Sequence, residues 1–237
     1  MPVRDEGLLH DLAPLMPGAL LRRRTRVASS SSSSSTSCPS SCRVDPVEAP
    51  PARGAVSTFR AVDEVQDDDQ GRPEPPLAGT EAETLVGFLE FQRATLAWRT
   101  GGLDDAQLRA PLHPTDMTLG GMLLHLARVE EGWFTEVVDE QPLGEPWATA
   151  PWGQEWQTAH ARTGEELRAT WRASVERSRD VVQRALDAGG LDATHPAWGG
   201  QGHPSLRWVL VHMVEEYARH NGHADLLRQA LDGQVGE

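Results

Sequence analysis

LRWVLVHMVEEYARHNGHADLLRQALDG, residues 206–233, carries the period of one long amphipathic helix. Ser205 stands just before it as an N-cap, and Gly233 follows the last periodic residue. Val209, Met213 and the Leu226/Leu227 pair form an apolar stripe. Ionisable residues break into that stripe at intervals of four: His212, Glu216 and His220, with His223 beyond them. Residues four apart share a helix face, offset by ~40° and ~6 Å along the axis. The polar row therefore lies on or beside the core. Burying a carboxylate there is unfavourable unless a partner or a metal ion compensates it.

The same reading, carried upstream, finds three more helices. In GTEAETLVGFLEFQRATLAWRTGG (79–102), Thr80 and Glu83 have capping-box spacing, Leu85, Phe88, Leu89, Leu96 and Ala97 form the stripe, and Gly101-Gly102 ends it. LDDAQLR (103–109) reads as a short helical turn. The second long helix is TLGGMLLHLARVEEGWFTEVV (118–138), capped by Thr118, with Leu119, Met122, Leu123, Leu126, Val129 and Trp133 inward. A Trp-rich connection follows, holding Trp147, Trp152 and Trp156. The third helix starts at Thr163 with Glu166 as its capping-box partner and ends at Gly189-Gly190. Four long helices, no alternating strand pattern and a long crossover between the second and third give an all-α four-helix bundle.

The remaining chain is different in kind. Residues 1–72 are rich in Ser, Pro, Arg and Asp, lack sustained periodicity and read as a disordered low-complexity segment before the 73–237 bundle. Both cysteines, Cys38 and Cys42, fall in its Ser/Pro tract and read as bystanders, so the bundle has no thiol of its own. A net charge of -13 argues against nucleic acid or an anionic membrane as the main partner. No apolar run approaches the roughly 20 residues that span a bilayer. The acidic, proline-interrupted Met1–Leu21 stretch does not read as a signal peptide, and a cytoplasmic location is expected.

On the second helix, one histidine, His125, sits on the apolar side between Leu124 and Leu126. Residue spacing alone leaves two readings. His125 and the row on the last helix are hydrogen-bonded core groups, or they are ligands collected from facing helices, as bundle cores commonly do.

The stretches FLEFQRATLAWRTGGLDDAQLRAP, LLHLARVEEGWFTEVV and the last helix closely resemble the DinB-like superfamily, in particular its actinobacterial branch, over about residues 73–236. The absence of Lys and Ile, the codon bias of a GC-rich genome, agrees with that branch. The resemblance implies a bundle, often dimeric, that holds a divalent metal through one His of helix two and a His/Glu-x₃-His pair of the last helix. Here those positions are His125, Glu216 and His220, with His212 and His223 as supporting or substrate-facing groups. The mycothiol-dependent maleylpyruvate isomerase has a similar His, Glu, His set, and bacillithiol transferases are also relatives. The metal stays open among zinc, nickel, iron and manganese.

The function so implied is a thiol S-transferase or isomerase acting on a small electrophile, with mycothiol as cosubstrate and a homodimer as the assembly. Arg128, Arg207 and Arg219 are candidate anchors for a thiol carboxylate. A metal-dependent hydrolase with Glu130, Glu215 or His223 as base is the alternative, as is a non-catalytic helical binding protein. Trp147, Trp152 and Trp156 are placed to roof a site mouth or a dimer interface.

Overall fold

The computed structural model describes residues 66–236. The Ser/Pro tract and both cysteines lie outside the described residues. Six α-helices and no strand occur among the described residues, the all-α class that the sequence reading expects, with a short helix in the crossover that it lacks. They are α1 (Glu81–Thr100), α2 (Asp105–Leu108), α3 (Leu119–Glu130), α4 (Glu155–Ala159), α5 (Gly164–Ala188) and α6 (Leu206–Asp232).

The expected caps set the helix starts. Thr80 and Thr163 each accept from the backbone three residues on, and Glu83 and Glu166 answer with reciprocal bonds. Thr118 and Ser205 cap α3 and α6 through their hydroxyls. The long helices pair α1 with α6 and α3 with α5, while α3 also touches α6. Leu96, Met122, Trp133, Phe134, Met213 and Tyr217 are fully buried between them.

Three details differ from the sequence reading. The second helix does not run uniformly to Val138: Glu131–Val138 is wound as π-helix, with Asp139 N–H reaching Phe134 O at 2.9 Å. The wider turn carries the buried stripe onto Phe134, Val137 and Val138 and buries Glu130 and Glu131 together. On α1, Phe88 is half exposed and Ala97 lies outward, while Arg93 and Arg99 are buried in the positions expected of apolar residues. Residues 66–72, assigned by composition to the disordered segment, form an ordered turn. Asp68 accepts from Arg72 N–H at 2.8 Å and from its guanidinium at 2.6 Å, and Arg72 lies over the Phe91 and Trp98 rings of α1. An acidic run conceals such a turn because one Asp in it caps the backbone while the others are solvated.

The crossover, residues 139–163, is fastened to α3 by Arg128. This buried guanidinium donates to Trp147 O and Ala150 O and lies 4.5 Å from the Trp152 ring centre. Arg128 is thus committed to folding the loop, and is not free to hold a ligand carboxylate. The fastened crossover seats α4 against α3.

Candidate metal centre

The phase set by Ser205 turns Val209, Met213, Glu216, Tyr217, His220, Ala224 and Leu227 inward on α6. Glu216 and His220 therefore stack on successive turns of the buried face. Across from them, α3 presents His125. The Nε2 atoms of His125 and His220 lie 3.3 Å and 3.4 Å from the same oxygen, Glu216 Oε1. One donor atom from each residue falls within 4.8 Å of the others. The two imidazoles meet edge to face with ring centres 4.8 Å apart.

The electrostatics of this group are unusual for a buried carboxylate. Glu216 is 3% exposed, and its partners among the described residues are two imidazoles, with no arginine. Burial pushes the Glu216 carboxyl up, but the hydrogen bonds and charge of His125 and His220 outweigh it and hold the group far below the ordinary carboxylate range. Burial lowers the His220 pKa, against the pull of Glu216. Glu130, also buried, shows the other solution. Arg93 grips both its oxygens at 2.9 Å and 2.7 Å, and Tyr217 Oη donates to it at 2.7 Å. One buried glutamate has a fixed guanidinium; the other has two nitrogen donors that are good metal ligands when neutral.

The two further histidines separate. His223 stands beside His220, ring centres 5.5 Å apart, with its Nδ1 unpartnered. His212 turns instead into an aromatic group, stacked on Trp208 at 5.1 Å and edge-on to Trp133 at 4.9 Å. Burial lowers the pKa of both. Of the hydrolytic bases considered from sequence, Glu130 is sealed in its ion pair, and Glu215 is engaged on the surface by Arg219 and lies 3.6 Å from His212 Nδ1. Arg207 is held by Glu81 and Asp192.

Two residues of α4 complete its wall: Trp156, which the sequence reading offered as a roof for a site mouth or a dimer interface, and Glu155, which it did not assign to the site. Trp156 of α4 stacks on His125, ring centres 5.5 Å apart and planes 21° from parallel. Beside it, Glu155 directs its carboxylate at the far edge of the same imidazole, 4.0 Å from Nδ1. Gly121 makes this approach feasible, since a Cβ there would lie 2.3 Å from the Trp156 ring.

Comparison with known proteins decides the family. The model for the mycothiol-S-transferase family matches residues 84–233, well over half of the chain. This chain belongs to the mycothiol-S-transferase family. The match runs from the first turn of α1 past the end of α6 and takes in all three converging side chains, and it agrees with the DinB-like resemblance. A search of curated proteins finds no significant match. No helix among the described residues is long and apolar enough to cross a membrane.

The donor set of this mycothiol-S-transferase family member suits a divalent ion. Two imidazole nitrogens and one carboxylate oxygen are compatible with zinc, nickel, iron or manganese. Three protein donors also leave positions for an exogenous ligand, the arrangement of catalytic rather than structural sites.

Proposed function

We propose that this protein is a divalent-metal-dependent S-transferase that joins a low-molecular-weight thiol of the mycothiol type to a small electrophile. The observation that carries the reading is Glu216: a buried carboxylate that faces two imidazole Nε2 atoms and has no guanidinium partner among the described residues. His125, Glu216 and His220 would hold the metal, which, when bound, favours the thiolate over the thiol.

The chain's own residues fit the remaining tasks. Residues 66–237 contain no cysteine, so the nucleophilic sulfur comes from the cosubstrate. His223, whose ring centre lies 5.5 Å from that of His220, would be the residue to receive the thiol proton. Trp156 covers the outer face of His125 and keeps water from that side of the group. A homodimer, implied by the family resemblance, and the cytoplasmic location expected from the sequence belong to the same proposal.

The test is metal content by plasma mass spectrometry on untagged protein, wild type beside His125→Ala and His220→Ala, followed by transfer assays with and without mycothiol. Near-stoichiometric metal in wild type, lost in both variants, together with thiol-dependent turnover, is the expected result. Turnover without any thiol would select hydrolysis. Wild type that takes up none of the four metals would overturn the enzyme reading.

A further inference from the structure

We propose that Glu155, supplied by the crossover helix α4, is the positioning residue that orients His125 for metal binding. The inference rests on the metal reading above and concerns a residue outside the converging group of three.

The geometry distinguishes the two edges of the His125 ring. Nε2 faces Glu216 at 3.3 Å, and Nδ1, on the opposite edge, faces Glu155 Oε2 at 4.0 Å. Nδ1 is buried and has no hydrogen-bond partner. Glu155 is itself 4% exposed, and its carboxylate is fixed by the Gly153 N–H at 3.0 Å and 3.3 Å. The remaining separation exceeds a hydrogen bond by about 1 Å, and among the described residues no acceptor is bonded to that nitrogen. An acceptor on Nδ1–H holds the ring in the tautomer whose Nε2 lone pair is free for a metal, and a carboxylate there raises the donor strength of that nitrogen.

His125 needs such a device more than His220 does. His220 sits on the same helix as Glu216, one turn away, so α6 alone fixes their relation. His125 arrives from α3, and its ring orientation has to be set by something outside α6. Two contacts from α4 do this: Trp156 restrains the face of the ring and Glu155 its edge. Gly121 leaves room for Trp156, and Arg128 ties down the loop that leads into α4. The crossover thus contributes to the site by bracing a ligand without donating one.

The experiment uses the full chain, with zinc and cobalt(II) as probes. Zinc affinity is measured by chelator competition for wild type, Glu155→Gln and Glu155→Ala, and the visible spectrum of the cobalt(II) forms is recorded beside it. Glu155→Ala is expected to bind zinc about 10- to 100-fold more weakly, with an altered cobalt spectrum. Glu155→Gln keeps the size and an acceptor oxygen, and falls between wild type and Glu155→Ala. Circular dichroism of the metal-free proteins tracks the fold separately. Wild-type zinc affinity and cobalt spectrum in both variants would overturn the inference while leaving the metal site standing. So would a Glu155→Gln variant identical to wild type beside a Glu155→Ala variant whose weaker binding follows lost helicity, since that pattern marks a packing role. Wild type that binds neither ion sinks the metal reading, and this inference with it.

Discussion

Replacing Arg93 by methionine tests the network that holds the two ligand-bearing helices together. Glu130 on α3 is fully buried, and its carboxylate accepts from Nε and Nη2 of Arg93 on α1, whose Nη1 goes to Glu90, and from the hydroxyl of Tyr217 on α6. Tyr217 in turn accepts from Trp171 Nε1 of α5 at 2.9 Å. All four long helices therefore meet in one polar chain, and Tyr217 is the immediate neighbour of Glu216. Arg93→Met leaves an uncompensated carboxylate in the core, which costs about 3–5 kcal/mol. For a chain of this size each kcal/mol moves the midpoint by about 2–4 °C, so the metal-free protein should melt about 6–20 °C lower. The double variant Arg93→Met/Glu130→Met removes both charges at similar volume and should recover most of that loss. Tyr217→Phe, which deletes one bond to a charged group and leaves Trp171 Nε1 without its acceptor, should cost at least about 1.5–3 kcal/mol. Denaturant titrations followed by circular dichroism measure all three. An Arg93→Met cost below about 1 kcal/mol, the worth of an ordinary surface pair, would refute the view that this network clamps the bundle.

Three further outcomes are expected. Burial lowers the His212 pKa, with Glu216 and Glu215 opposing and Arg219 assisting. The unfolded chain therefore takes that proton first, and the His212 contribution to stability is lost as pH falls below about 6.5. The difference in melting temperature between His212→Phe and wild type should grow in favour of the variant from pH 7.5 to 5.5; a constant difference would be the contrary result. Gly121→Ala drives a Cβ toward the Trp156 ring, 2.3 Å away as the backbone stands, and should destabilise by about 1–3 kcal/mol while weakening zinc binding, both read from melts with and without zinc. Zinc at about 100-fold above its dissociation constant should add about 2.7 kcal/mol to wild type, and a His220→Ala variant that gained as much would exclude His220 as a ligand.

The parts of this molecule that can be read from sequence are those governed by short separations. Thr80 with Glu83, Thr118, Thr163 with Glu166, and Ser205 cap helices through atoms at most three residues away, so their meaning is local. Glu216 and His220 share a helix face by the same arithmetic. His125 is different. Its spacing shows only an imidazole on an apolar face, and the family resemblance, not the periodicity, places it opposite Glu216. Glu130 illustrates why more could not be read. From sequence it is one of several acids near the site and a candidate base, yet its partners Arg93 and Tyr217 lie 37 and 87 residues away, and only packing reveals that its charge is already neutralised.

Glu155 was hidden for a related reason. It lies on a five-residue helix inside a loop, too short for any periodicity to show which way it faces. What draws it to the site is a chain of long-range contacts, from Arg128 through the crossover backbone to Trp156 over Gly121. The same physics accounts for both Glu130 and Glu155. A buried charge is stable only with a partner, and in a bundle that partner comes from another helix or from the crossover. The question to put to each inward-facing acid is therefore which cation answers it. For Glu130 the answer is Arg93. For Glu216 the described residues supply two imidazoles and no permanent charge, so a dication is the partner that would complete the account.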